Sequence, residues 1–322
     1  MTHAALRRPF AALLLGAALA QPAVAKTSPA VQAVAVTADN PAAHPSFTVR
    51  VVGKGRPVLL IPGLTCPGAV WDETVARYQS RYQCHVISLA GFGGVPAVSG
   101  NTPESFLPAV RDQLLAYIKT QKLDRPAIIG HSLGGFMGLM ISVAQPEAVG
   151  PLVILDSLPF LAAVQNPATT VETARPLADG MRQQMSAGKM PMAQQRQMVI
   201  GMVTDTARQS LVARWGQASD PASVAQAMYE LYTTDLRADL GAVQQPALVL
   251  GTWAAYQPYG ATLASTRAIF AAQYAKLPQH RIEMSQAGKH FIMYDDAAWF
   301  FQQTDAFLQT NYPGKANYVG RK

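Results

Sequence analysis

Cysteine is nearly absent from this chain: 322 residues hold two, Cys66 and Cys84. Two thiols cannot build the multi-bridge framework of a small stapled domain, and no Cys/His cluster has the spacing of zinc ligands. Charge is also scarce. Charged residues make up 14% of the chain against 49% hydrophobic ones, a balance that argues for a globular protein and against disorder. No repeat or low-complexity tract occurs, and Gly and Pro are scattered rather than clustered. The net charge of +7 is not gathered into a basic run or a basic-aromatic stripe, so nucleic-acid binding is not expected. Nor does any apolar run reach the roughly 20 residues needed to span a bilayer.

What is present begins with a leader. Arg7 and Arg8 precede an apolar stretch from Phe10 to Ala20, and Ala23-Val24-Ala25 offers a small-x-small cleavage site before Lys26. Residues 1–25 therefore read as a signal peptide rather than an uncleaved anchor, and the arginine pair loosely fits a twin-arginine signal. The expected location is periplasmic or secreted, with no stable membrane span after cleavage. Removing the leader takes two of the 26 Lys and Arg and none of the 19 acids, which lowers +7 to +5. Export would make the two cysteines eligible for a disulfide. In the layout below, however, Cys66 follows one parallel strand and Cys84 begins its neighbour, which places them at opposite ends of a sheet and out of reach.

After a flexible stretch over residues 26–45, "SFTVRVVGKG" alternates as an opening strand or hairpin does. "RPVLLIPG", "QCHVISLAGFGG", "RPAIIGHS", "GPLVILDS" and "QPALVLGT" are continuous apolar runs, the pattern of strands buried on both faces. Helical stretches lie between them: "AVWDETVARYQSRY", "TPESFLPAVRDQLLAYIKTQ" with Thr102 as N-cap and Pro103 in the first turn, and "LGGFMGLMISVAQ". The chain then closes with helix "ATLASTRAIFAAQYAKL", strand "HRIEMSQAG" and helix "AAWFFQQTDAFLQT". Strands alternating with helices imply an α/β fold with a mainly parallel sheet flanked by helices. The alternation stops over residues 158–240, a mostly helical segment with seven of the twelve methionines, Met181, Met185, Met190, Met192, Met198, Met202 and Met228. A structureless loop of that length is improbable in a compact domain, so the segment is expected to be a helical cap inserted between core segments 46–157 and 241–322. Methionine packing is the first reading there; a soft surface for an apolar acyl group is the second.

The chemistry centres on Gly130-His131-Ser132-Leu133-Gly134. A Gly-x-Ser-x-Gly match arises by chance in roughly one chain of this length in ten, so the pentapeptide alone decides little. Its context decides more. Ser132 stands between a buried strand and a helix, the setting of a nucleophile elbow, where the glycines make room for a strained serine at the carboxyl end of a sheet.

At this point the chain resembles the α/β-hydrolase superfamily, over roughly residues 46–311 apart from the insertion. The resemblance implies a Ser, acid, His order, an oxyanion loop after "RPVLLI" and a catalytic histidine after the last strand. His290, in "QAGKHFIMYDD", occupies that place. Of the other histidines, His85 and His280 sit at strand starts, the wrong end of a parallel sheet for chemistry, and His131 adjoins the serine but is expected to point elsewhere. In most of the superfamily the acid follows the strand here read as "QPALVLGT", yet no Asp or Glu occurs between Asp239 and Glu283. Glu283 lies inside a strand. Elimination favours Asp156 at the end of "PLVILD", a position that some branches use, with Asp179, Asp205 and Asp235 of the insertion as alternatives. One oxyanion N–H is assigned to Leu133; the other falls in "PGLTCPG", at Leu64 or, failing that, Thr65. Many superfamily members carry His-Gly where this chain has Pro62-Gly63.

The turn "LAGFGGVP" lacks the Lys and Ser/Thr of a phosphate loop and reads as structural. Trp71, Trp253, Tyr256 and Tyr259 fall in loops at the same edge, where pocket lining and aromatic core are equal readings. The expected function is that of an exported serine hydrolase that needs no cofactor and cleaves carboxylic esters of a small molecule with an apolar acyl group. Amidase or peptidase action is the enzymatic alternative, and acyl transfer a further one. The missing acid after "QPALVLGT" motivates a third reading, a non-catalytic binding protein. Nothing in the sequence fixes an oligomeric state.

Overall fold

The computed structural model of the chain describes residues 44–98 and 105–314. The leader, most of the 26–45 segment, Thr102, Pro103 and the side chain of Tyr259 lie outside the described residues. The chain runs β1 (Phe47–Gly53), β2 (Arg56–Ile61), α1 (Asp72–Tyr78), β3 (Tyr82–Leu89), α2 (Phe106–Thr120), β4 (Ala127–His131), α3 (Leu133–Ala144) and β5 (Leu152–Leu155). Four helices follow without a strand: α4 (Val171–Ser186), α5 (Met192–Ile200), α6 (Thr206–Ala218) and α7 (Pro221–Thr233). The core resumes with β6 (Ala247–Thr252), α8 (Leu263–Gln273), β7 (His280–Ser285), the short α9 (Ile292–Asp295) and α10 (Ala297–Asn311).

The seven strands form one sheet in the order β1-β3-β2-β4-β5-β6-β7, in which only β1 runs antiparallel, against β3. The apolar runs explain its interior. Every residue of β4, β5 and β6 is buried, as expected for parallel strands covered on both faces. Side chains alternate along a strand, so Leu59 and Ile61, Ile87 and Leu89, Leu152 and Ile154, and Ala247 and Val249 share one face and join a single apolar cluster with α2, α3 and Phe270 of α8. α3 is apolar on all sides and buried over most of its length, so it lies at the centre of that layer. α1 and α10 meet through Tyr78 and Phe301, whose rings stand 6.1 Å apart, and through Arg77 bound to Asp305, a carboxylate that Arg81 in the turn after α1 also binds.

α2 begins at Phe106 rather than at Thr102. Its first N–H groups are bound by a carboxylate from α7: Glu230 accepts from Phe106 N at 2.7 Å and Leu107 N at 2.5 Å. In the helical insertion, α4 packs on α7 and α5 on α6. The Gly-rich turn after β3 receives this segment, since Gly91 O accepts from Asp220 N at 2.7 Å and Gly93 N donates to Ser219 Oγ at 2.9 Å. None of the seven methionines there is buried; Met190 and Met198 are 40% and 42% exposed. Packing, the first reading of those side chains, accounts for them only in part. Among the described residues, no helix is long and apolar enough to cross a membrane.

Candidate active site

The sheet order brings β2 and β4 side by side, while the chain leaves β2 for β3 on one side and β4 for β5 on the other. In open α/β sheets, ligands bind in the crevice beyond the carboxyl ends of strands at such a reversal. Two segments open into it. Pro62 to Cys66 leaves β2, and Ser132 leaves β4 as the residue preceding α3.

Ser132 has φ 52° and ψ −119°, a left-handed conformation that non-glycine residues seldom adopt. The surroundings hold it there. Its N–H donates to Leu155 O at 2.8 Å, and its carbonyl accepts from Gly135 N at 2.9 Å and Phe136 N at 3.1 Å. The turn also needs Gly134, because a Cβ at that residue would overlap the carbonyl oxygen of Ile61, so α3 could not approach the end of β2. Leu133 is the first residue of α3, and its N–H is one of the four that a helix leaves without an intrahelical acceptor. From the β2 side, Gly63 passes over the serine: a Cβ there would stand 3.2 Å from Ser132 Cβ and 2.9 Å from His131 Nδ1. Cys66 N donates to Gly63 O at 3.1 Å, and Thr65 takes φ 63°, so Leu64 and Thr65 form a tight turn beside Ser132.

Asp156 follows β5 directly, with φ 42°. Its N–H donates to Leu250 O at 2.7 Å, and its Oδ1 accepts from Thr252 N at 3.2 Å. Its Oδ2 lies 2.6 Å from His290 Nδ1. A carboxylate can only accept, so Nδ1 carries the hydrogen and Nε2 is left as the basic atom of a neutral His290. The carboxylate is 6% exposed and the imidazole 22%. None of the alternative acids has this contact. Asp179 pairs with Arg182 at 3.0 Å, Asp235 with Arg237 at 2.7 Å, Asp205 caps α6 through Arg208 N at 2.8 Å, and Glu283 on β7 faces Arg281 at 3.8 Å.

The loop that carries His290 is fixed from several sides. Ser285 Oγ accepts from Gly288 N at 2.7 Å and donates to Asp296 at 2.7 Å, while Thr252 Oγ1 donates to Gly288 O. Asp295 accepts from Lys289 N at 3.1 Å and, across the insertion, from Thr204 N at 2.9 Å. Phe291 N donates to Met202 O at 3.1 Å, and Lys289 Nζ to Ile200 O at 2.8 Å. The segment between α5 and α6 is therefore tied directly to this loop.

The structure thus brings Asp156 and His290 together, and it sets Ser132, Leu133 and Leu64 at the same sheet edge. It also places residues that no motif singled out, Thr252, Ser285, Asp295 and Asp296, whose roles depend on contacts between distant segments. Trp71 is fully buried and belongs to the core, whereas Tyr256 is 46% exposed. His85 lies within β3 rather than at its start, buried with Nδ1 2.8 Å from the hydroxyl of Tyr117. Cys66 and Cys84 are buried and free, and burial pushes each thiol up to about 12. Among the described residues, no group of three or more His, Cys, Asp or Glu could hold a metal ion.

The chain is 32% identical over 111 residues to a pimeloyl-[acyl-carrier protein] methyl ester esterase of Aliivibrio salmonicida, a match covering 34% of this chain and only 40% of that relative. It is 23% identical over 274 residues to an N-formylmaleamate deformylase of Pseudomonas putida, covering 81% of this chain and 91% of the relative. The solved enol-lactonase of Burkholderia xenovorans superposes with a TM-score of 0.65 at 16% identity, over 82% of this chain and 96% of its own, which shows a shared fold. Residues 58–303 match the model of the alpha/beta hydrolase family, and the chain belongs to that family.

Proposed function

We propose that this protein is an exported serine esterase that acts on a small-molecule ester with an apolar acyl group. The observation that carries the reading is the 2.6 Å contact of His290 Nδ1 with Asp156 Oδ2 at the sheet edge that also holds the strained Ser132. In this mechanism His290 Nε2 takes the proton of Ser132 Oγ as the oxygen attacks the ester carbonyl. Asp156 fixes the Nδ1–H tautomer and stabilises the imidazolium. The N–H groups of Leu133 and Leu64 hold the oxyanion, each worth roughly 3 kcal/mol in the transition state. His290 then returns the proton to the leaving alcohol, and an acyl group remains on Ser132. Water, deprotonated by the same imidazole, releases the acid and restores the serine.

Ester cleavage is further supported by the similarity to proteins named as esterases. The half-buried and exposed methionines of residues 158–240, read as a cap, suit an apolar acyl chain. Export rests on Arg7, Arg8, the apolar stretch from Phe10 to Ala20 and Ala23-Val24-Ala25. Amide cleavage is the second reading, favoured by the longer similarity to a protein named as a deformylase. The test is fluorophosphonate labelling of the purified protein with peptide mapping, followed by paired ester and amide substrates. An adduct on Ser132, lost in His290→Ala, supports the hydrolase, and the faster of the paired substrates decides between ester and amide. A folded protein that takes no label at Ser132 overturns the serine-hydrolase reading.

A further inference from the structure

His131 ends β4, precedes Ser132 and is 1% exposed. Its Nε2 lies 2.9 Å from the carbonyl oxygen of His290, and its ring centroid stands 4.6 Å from that of His290 and 4.7 Å from that of Phe291. A carbonyl oxygen only accepts, so Nε2 carries the hydrogen and Nδ1 is bare. That Nδ1 is buried with no hydrogen-bond partner, and it faces Gly63, where an added Cβ would approach to 2.9 Å. A protonated ring would have to bury a second N–H without an acceptor, beside another imidazole. Burial and the neighbouring His290 accordingly hold His131 well below the usual histidine value. The residue is therefore a neutral ring with a single donor, and that donor is committed to the main chain of His290.

We propose that His131 is a positioning residue for His290: it donates Nε2–H to the His290 carbonyl, closes its ring against that imidazole, and so fixes the base relative to the adjoining Ser132. This rests on the reading of Ser132 and His290 as nucleophile and base. His131 touches neither the substrate nor the reacting atoms. The other bonds to the loop act on Gly288, Lys289 and Phe291, on either side of the base. The bond from His131 acts on His290 itself, and it comes from the residue that is covalently joined to the nucleophile. Any shift of one half of the pair is thereby carried to the other.

The test compares His131→Gln, whose side-chain amide can reach the same carbonyl, with His131→Met, which has similar length and no donor. The readouts are the second-order rate of fluorophosphonate labelling at Ser132 and, with p-nitrophenyl butyrate, kcat and KM separately, on proteins whose circular dichroism matches the parent. The Met variant is expected to lose about 10- to 100-fold in labelling rate and kcat, the range that follows from a small misplacement of a base, with KM nearly unchanged. The Gln variant is expected to recover most of that loss. Parent-like rates in the Met variant, or a Gln variant as impaired as the Met variant, overturn the role. If the Met variant does not fold, the Gln variant decides alone: rates near the parent support the role, and a loss of about tenfold overturns it. A parent protein that labels no faster than Ser132→Ala overturns the nucleophile reading, and the positioning role falls with it.

Discussion

The backbone of Ser132 is held in a region that costs a non-glycine residue about 1–3 kcal/mol. The strain aims Oγ out of the turn, so removing the side chain should separate activity from stability. Ser132→Gly is expected to abolish turnover and to raise stability by about 1 kcal/mol, the strain relieved less the extra chain entropy of glycine; denaturant titration beside an esterase assay measures both. The neighbouring carboxylate predicts a different outcome. Asp156→Asn keeps the shape but can present an amide N–H to His290 and favour the wrong tautomer, so kcat should fall by about three to four orders of magnitude with little change in melting temperature. A variant that retained parent-like kcat would remove Asp156 from the mechanism.

Between elements, the most consequential contact is the carboxylate of Glu230, carried by α7 and spent on the first two N–H groups of α2. It accepts from Gln226 Nε2 at 2.7 Å as well. Glu230→Ala would orphan these donors and is expected to destabilise by about 1–3 kcal/mol, read by chemical denaturation. Burial holds the Glu230 carboxyl above its ordinary value of 4.5 despite those bonds. A carboxyl raised in the fold binds its proton more readily there than in the unfolded chain. Its contribution to stability is thus fully present below pH 4.5 and is lost as the pH rises through the folded value. The stability difference between the parent and Glu230→Gln should therefore shift in favour of the variant as the pH rises from acid toward neutral, and a difference independent of pH would contradict this assignment. At the α3–β2 junction, Gly134→Ala is expected to prevent soluble expression, because the new methyl group would overlap Ile61 O.

Over the fold as a whole, both cysteines are buried and free. Cys66 and Cys84 are 1% and 0% exposed, and burial pushes their thiols up to about 12. A thiol reagent at pH 8 is expected to modify neither in the native protein and both after unfolding; rapid native reaction at Cys66 would reveal local opening of the turn beside Ser132. The architecture was legible because its signal is local. Runs such as "PLVILD" and "QPALVLGT" announce strands buried on both faces, and Ser132 stands where one such run meets a helix with no polar face. His290 was legible by its place after the last strand. The start of α2 was not, since the sequence offered Thr102 as a cap and the fold uses Glu230, which lies more than a hundred residues away. His131 was expected to point away from the chemistry, yet its orientation toward the His290 loop follows from the packing of β4 under a segment after β7. Asp156 shows the division most clearly. The resemblance, with no acid after "QPALVLGT", left it as a candidate by elimination, but whether a carboxylate after β5 can meet an imidazole after β7 depends on β6 lying between them and on two loops bending to the same point. The strands, the helices, the insertion and the place of Ser132 between a buried strand and a helix could be read from the residues alone, because periodicity and turn chemistry act over a few residues. Which acid meets His290, what caps α2 and where the His131 ring points are set by the packed chain, because hydrogen bonds between distant segments depend on where tertiary packing puts their atoms.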